Sequence, residues 1–280
     1  MLMLNTLRRM QRGDIPFGLA LCRRAGWNQL DADWRRLLSL CPDGVMVAEQ
    51  DGMPCGTASA ICYDTRIAWI GMILVHPDFR QQGIGSALMK HTLARLQSRR
   101  SQVIKLDATD QGRPVYLKLG FKDERPICRF VGQAQGGTVT ERAVTADDWP
   151  VIAQLDAEAF GADRLALLHA LAHEGFSAVV ANDSGLQAVG FARLGFEANF
   201  LGPVIARDLA TARRAVSSLL AALPAGNVYW DLLPDNRSAR QLAEDSGLII
   251  RRELTRMYLG HENITGTVDR VYGCAGFELG

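Results

Sequence analysis

Lysine is scarce in this chain. Four lysines occur, at positions 90, 105, 118 and 122, against many scattered arginines, so the basic residues form no patch. Lys and Arg total 31 against 30 Asp and Glu, a formal net charge of +1. That balance gives no global attraction to nucleic acid or to an acidic membrane surface. Long hydrophobic runs are missing too. The longest uninterrupted apolar stretch, Ile67–Val75, is far below the ~20 residues that a membrane span needs. The opening MLMLNTLRRM has too short an apolar run for a secretory leader. None of the six cysteines (Cys22, Cys41, Cys55, Cys62, Cys128 and Cys274) stands in a CxxC, which argues against a zinc or disulfide framework. Reduced, buried thiols in a soluble cytoplasmic protein are the expectation.

What is present is a globular composition, 48% hydrophobic over 280 residues, long enough for one large or two medium domains. The pattern over 7–40 is helical, with GWN at 26–28 as a break and Asp31 or Asp33 as a cap for a second helix. GVMVAEQDGMPCGTASAICYD alternates around Asp51-Gly52 and predicts a hairpin. Ile67–Val75 reads as a central strand. Ile84, Leu88, Met89, Leu93 and Leu96 form the buried stripe of the helix that follows. QVIKLDAT predicts a strand, GRPVYLKLGF a short helix closing on Gly120, and RPICRFVG another strand. QAQGG at 133–137 reads as a joint. The order then repeats, with helices over 147–155 and 165–172, a hairpin around 183–185, the strand FLGPVIA, a helix over 209–223, the strand NVYWDLL, a short helix over 238–247 and the strand ELTRMYLG. The expectation is an α/β (α+β) chain of two similar units, at 1–135 and 138–280, with one more strand pairing within 267–280.

The stretch VHPDFRQQGIGSALMKHTLARL, at 75–96, raises the functional question. A strand runs into a turn holding two glycines, and a helix leaves it. The first turn of a helix carries N–H groups without intrahelical partners. Glycine keeps Cβ atoms from shielding them, and several such groups converging on one point suit a phosphate or pyrophosphate. No lysine follows Gly85, so the loop is not a nucleotide-hydrolysing GxxxxGK[ST]. A dinucleotide GxGxxG would stand directly after the strand, and here Leu88 holds the third glycine's place. Asp107, about twenty residues on, keeps a nicotinamide reading open.

These residues resemble a known family. ILVHPDFRQQGIGSALM is similar to the acyl-CoA-binding segment of the GCN5-related N-acetyltransferases (GNAT superfamily), whose pattern is [RQ]xxGx[GA]. VYLKLGF resembles that family's next signature, and EAFGADR, LGPVIA and AGFELG resemble a bacterial subgroup with two tandem GNAT-like domains. The resemblance implies a mixed sheet in each unit, splayed between two central strands and flanked by helices. It implies acetyl-CoA as co-substrate, with no metal. The pyrophosphate would lie on Arg80, Gln81, Gln82, Gly83, Ile84, Gly85 and Ser86, and the pantetheine arm along the backbone of Ile73, Leu74 and Val75.

Acyl transfer from a thioester to an amine needs a neutral amine, a donor for the oxyanion and a proton for the departing thiolate. An alkylammonium of pKa ~10.4 is neutral in roughly one molecule in 2,500 at pH 7, a deficit of nearly 5 kcal/mol. Acid–base help is worth roughly 10²–10⁴ in rate. The resemblance assigns the thiolate's proton donor to Tyr116, and a strand N–H among 73–75 could serve the oxyanion. Many relatives carry a Glu on the strand before the glycine loop. AWIGMILV contains none, which leaves a water relay or a carboxylate from elsewhere, such as Asp107 or Asp163.

The second unit lacks RxxGx[GA] after FLGPVIA, and Ala243 stands where Tyr116 stands in the first. It is expected not to bind acyl-CoA in the usual way and to shape the acceptor site. Asp163 and Arg164 are candidates there, with Arg164 facing an acidic acceptor or forming a salt bridge to Asp163 or Glu158. Trp27 and Asn28 are candidates to line the same space, the alternative being a buried Trp and a helix break. His169 and His173 lack the HExxH order that would suggest zinc. The sequence therefore supports an N-acetyltransferase acting on a primary amine of a small molecule or amino acid, as a monomer or homodimer without nucleic-acid or membrane partners. An acyl-CoA-binding sensor with little catalysis is the alternative.

Overall fold

The computed structural model describes residues 6–99, 101–260 and 263–280. The first five residues of the opening MLMLNTLRRM lie outside this range. In the first half, the elements are β1 (Thr6–Arg9), α1 (Ile15–Arg24), α2 (Asp31–Leu40), β2 (Val45–Gln50), β3 (Met53–Tyr63), β4 (Ile67–Val75), α3 (Ile84–Ser98), β5 (Val103–Ala108), α4 (Arg113–Lys118) and β6 (Lys122–Ala134). The second half repeats the plan with α5 (Trp149–Phe160), α6 (Leu165–Glu174), β7 (Phe176–Asn182), β8 (Gly185–Arg193), β9 (Asn199–Ala206), α7 (Leu209–Ala222), β10 (Gly226–Leu232), α8 (Arg237–Asp245) and β11 (Ile249–Gly260), and closes on β12 (Val271–Gly273).

Local signals account for most boundaries. Asp51 and Gly52 both take positive φ, the geometry that a two-residue hairpin turn needs between β2 and β3. At the start of α2 the Asp33 carboxylate accepts the Leu30 N–H at 2.7 Å, tying down the chain that enters the helix. The apolar stripe of α3 is buried along its length against β3 and β4. One expectation is corrected. Residues 6–9 are not helical but form β1, which pairs antiparallel with β2. A four-residue edge strand is too short to show its own period, and the helix that follows supplied the apparent pattern.

The strands form one mixed sheet in the order β1-β2-β3-β4-β5-β11-β6-β10-β9-β8-β7, with β12 pairing β9. The two halves exchange strands at its centre. β11, from the second half, pairs antiparallel with β5. β6, from the first half, pairs antiparallel with β10. β6 and β11 pair with each other from Val131 opposite Ile249 to Lys122 opposite Tyr258. Helices α1 and α2 share one apolar core with α5 and α6, including the fully buried Trp34 and Leu168. The halves are therefore repeats in sequence that are interlocked in space.

Each half contains one parallel pair that opens partway. β4 and β5 pair only at Ile67–Val103, Ala68–Ile104 and Trp69–Lys105, then diverge. β9 and β10 pair only at Asn199–Val228, Phe200–Tyr229 and Leu201–Trp230. The second opening is filled. β8 holds one edge of β9, and β12 takes the other, with Val271 opposite Ile205 and Gly273 opposite Val204. The Cys274 N–H then donates to Asp231 O of β10 at 2.8 Å, and Trp230 Nε1 donates to Tyr272 O at 2.9 Å. The backbone edges that the divergence frees are satisfied by the chain itself.

Candidate active site

The first opening is a cleft of about 690 Å³. One wall is β4 from Ile70 through Val75, and the other is Leu106, Asp107 and Tyr116. Arg129 of β6, Arg252 and Glu253 of β11, and Phe277 and Glu278 close it from the second half's side. Strand β4 bulges here. Its register against β3 steps from Ser59–Gly71 to Thr57–Leu74, and Met72 takes φ of +53°, unusual for a non-glycine residue. Thr57 Oγ1 donates to Met72 O at 2.9 Å and holds the bulge in place. Such a bulge re-aims the backbone, and it stands where the two strands part.

Val75 leads directly into the glycine turn. Gln81 and Gly83 both take positive φ, and Gly83 is the N-cap of α3. A Cβ added at Gly83 would meet nothing within 4 Å. Arg80, Gln81, Gln82, Gly83 and Ser86 are exposed, Gly85 is half-buried, and Ile84 turns inward to the core. Arg80 also borders the cleft and donates from Nε to Val75 O at 3.2 Å. The turn thus offers an open helix N-terminus at the end of the cleft, with the strand 73–75 running from one to the other.

Tyr116 lies across the cleft on α4, its ring tilted against Phe121. Its hydroxyl has no hydrogen-bond partner among the described residues. Burial pushes the phenol above its ordinary value, so it is protonated at neutral pH. Trp27 and Asn28 border the cleft as well. The Asn28 side chain is committed to the second half. Its Oδ1 accepts the Glu197 and Ala198 N–H groups at 2.8 and 3.0 Å, and its Nδ2 donates to Ala198 O at 2.8 Å. It holds a cleft wall by joining the halves, with one Nδ2 N–H not used in these bonds.

Two sequence candidates lie away from the cleft. Arg164 is buried, and both its Nε and Nη2 donate to Asp156 at 2.9 Å. Its Nη1 donates to Gly280 O at 3.1 Å. The partner is Asp156, not Asp163 or Glu158. Asp163 is exposed and caps α6, its Oδ1 accepting the Leu165 N–H. Of the two candidate carboxylates for proton removal, Asp163 does not border the cleft. Asp107 does line the cleft, but Arg256 holds it through two hydrogen bonds of 2.9 and 3.1 Å. His169 stacks on Trp149, and no cluster of three potential metal ligands occurs among the described residues. Residues that sequence reasoning missed come from the second half: Arg252, Phe277 and Glu278, together with Arg129 on the exchanged strand.

A splayed parallel pair, a bulged strand running into a glycine turn and a tyrosine facing the gap define an acyl-CoA-dependent acyltransferase. Comparison with known proteins gives the family. Residues 42–123 match one model of an acetyltransferase (GNAT) domain, and residues 152–273 match a second. The chain belongs to the GNAT acetyltransferases and carries two such domains in tandem. It is similar to an uncharacterised N-acetyltransferase of Bacillus subtilis, YitH, at 25% identity over 72% of this chain and 73% of that one. Among solved structures, a proposed acetyltransferase from Pyrococcus horikoshii matches with a TM-score of 0.82 at 22% identity, over 98% of this chain and 95% of that one. A tandem GNAT protein from the clavulanic acid biosynthesis pathway matches with a TM-score of 0.65 at 12% identity, over 92% and 99%. At these identities the structural likeness speaks to the fold. Among the described residues, no helix is long and apolar enough to cross a membrane.

Proposed function

We propose that residues 1–135 carry the catalytic unit, which transfers an acetyl group from acetyl-CoA to a primary amine of a small, carboxylate-bearing acceptor such as an amino acid. Residues 138–280 form the second unit, which shapes the acceptor side and binds no cofactor of its own. The observation that carries this reading is the difference between the two openings: among the described residues no strand enters that between β4 and β5, which forms a cleft bordering the glycine turn, while that between β9 and β10 is filled by β12. In this reading the amides of 81–86 hold the pyrophosphate, and the 73–75 backbone guides the pantetheine arm toward the bulge. An N–H of that strand meets the oxyanion as the amine adds. Tyr116 donates its proton to the thiolate as the C–S bond breaks.

Acceptor choice follows from Arg252. It borders the cleft, is half-buried, and has no ion-pair partner among the described residues, whereas Arg129 beside it is committed to Asp231 through two hydrogen bonds of 2.7 Å. Burial, and then the like charge of Arg129, disfavours the Arg252 guanidinium, so an anion arriving there relieves an existing cost. Arg252→Ala is expected to raise KM for a carboxylate-bearing amine by about 10–100-fold, since hydrogen bonds to charged groups are worth roughly 1.5–3 kcal/mol. Acetyl-CoA affinity should not change. Equal KM values for an amino acid and its decarboxylated amine in the wild type would remove the anionic acceptor.

The reading is tested by thioester consumption with acetyl-CoA across a panel of amines. Turnover with some of them is expected; binding of acetyl-CoA without turnover on any would indicate a sensor. Tyr116→Phe is expected to lower kcat at least about tenfold, the low end of acid–base contributions, with acetyl-CoA affinity nearly unchanged. Unchanged turnover would remove Tyr116 from the chemistry.

A further inference from the structure

The transfer chemistry needs a group to take a proton from the acceptor ammonium, and β4 offers no carboxylate. The fold brings one to that strand from the other half. After β12 the chain turns back toward the cleft and lays residues 277–280 against β4. Trp69 Nε1 donates to Phe277 O at 3.0 Å, and Tyr63 OH donates to Leu279 O at 2.7 Å. Gly71, the residue where the β4 bulge begins, lies directly beneath Glu278. A Cβ added there would stand 2.9 Å from both Cα and Cβ of Glu278. This contact accounts for a glycine in the middle of an otherwise bulky strand.

We propose that Glu278 is the general base of the transfer, a carboxylate supplied to the first unit's active site by the second unit. The inference rests on the acyl-transfer reading above. Glu278 borders the cleft, and its side chain is 8% exposed. Its closest cationic partner is Arg193 of β8, at 3.6 Å, beyond a good hydrogen bond. Three other carboxylates border the cleft. Asp107 is closed to solvent and clamped by Arg256 at both oxygens, while Asp110 and Glu253 are exposed at its rim, Glu253 accepting from Cys128 Sγ at 3.3 Å. Glu278 is thus the cleft carboxylate that is both buried against β4 and left with acceptor capacity to spare. The groups that face it are Arg193, Asp33 of α2, Arg129 of β6, Cys22 of α1 and Tyr63 of β3. Burial raises its pKa most, Arg193 lowers it, Asp33 raises it again, and the balance lies above the usual carboxylate value. A carboxylate so placed is a stronger base than one in water.

The proton balance closes with these groups. Glu278 takes one proton from the acceptor ammonium and releases it to solvent. The neutral nitrogen forms its bond to the thioester carbonyl carbon. As the C–S bond breaks, the thiolate leaves with the Tyr116 proton, and the second nitrogen proton, lost from the adduct, restores the phenol. The products are the amide and free coenzyme A, with one net proton released.

The test is a pair of pH–rate profiles. For the wild-type protein, kcat/KM should fall as pH drops through one enzyme pKa that is the same for acceptors of different amine pKa. In Glu278→Gln, kcat at neutral pH should fall about 100-fold or more. The rate should then rise with pH along the acceptor's own titration, with acetyl-CoA affinity retained. Glu278→Asp should recover part of the loss and restore the enzyme limb. A limb in the wild type that tracks the acceptor's pKa overturns the proposal even if the Gln variant does not fold, and so does a Gln variant with wild-type rate and profile. Wild-type protein that binds acetyl-CoA but acetylates no amine overturns the transfer reading, and the base with it.

Discussion

Gly83→Asp is expected to lower acetyl-CoA affinity at least 100-fold while the protein stays folded. Gly83 has φ of +81°, so any side chain there meets some backbone strain, about 1 kcal/mol or a little more. Aspartate tolerates that region better than most residues. The space above Gly83 is open, so the carboxylate meets no protein atom there. Its effect falls on the ligand. Two unit charges 4 Å apart repel by about 4 kcal/mol at an effective dielectric constant of 20, and a pyrophosphate carries more than one. Gly83→Ala separates strain from charge, since it should keep most of the affinity. Calorimetry on both variants provides the check. An Asp variant that binds as well as the wild type would mean that the turn faces something other than the cofactor.

The second large effect is on stability. Arg164→Ala should destabilise the fold by about 3–5 kcal/mol, the usual cost of leaving a buried carboxylate without its partner. Arg164 and Asp156 side chains are 1% and 2% exposed. The guanidinium also stacks 4.2 Å from the Phe160 ring centre and donates to Gly280 O. For a chain of this size the loss corresponds to a fall of roughly 10 °C in Tm. Replacing both partners with apolar residues, Arg164→Met with Asp156→Leu, should recover much of it, because the orphaned charge is then gone. Thermal melts of the two variants decide the point. An Arg164→Ala protein of normal stability but raised acceptor KM would return Arg164 to the acceptor site.

Legibility in the sequence follows the range of the signals. The hairpin at Asp51-Gly52 is set by two adjacent residues, and the glycine turn by a strand, two glycines and a helix within about twenty positions. Both read directly. The α3 stripe reads because one period is sustained over four turns. Neighbours in a sheet are another matter. The pattern of β11 says that it is a strand, but not that it lies between β5 and β6. The exchange of β6 and β11 therefore had no local mark. The same limit hid the cleft residues of the second half. Phe277 meets Trp69 across 208 positions of sequence, and Glu278 comes with it. One signal was available: AWIGMILV has a lone glycine in an apolar strand, and such a glycine marks a close approach by other backbone. Arg164 could be seen as a charge needing a partner, but a stretch with several carboxylates nearby did not single out Asp156. In the second half, the loss of the anion loop was visible as missing motifs. The reason its opening stays closed, β12, needed the structure.

The central claim is that one of two related openings takes the cofactor and the other is filled by the chain's own strand. Isothermal titration of the intact protein with acetyl-CoA tests this most directly. One site per chain is the predicted stoichiometry. Two sites would contradict the closure of the second opening by β12, and no binding would contradict the assignment of the first.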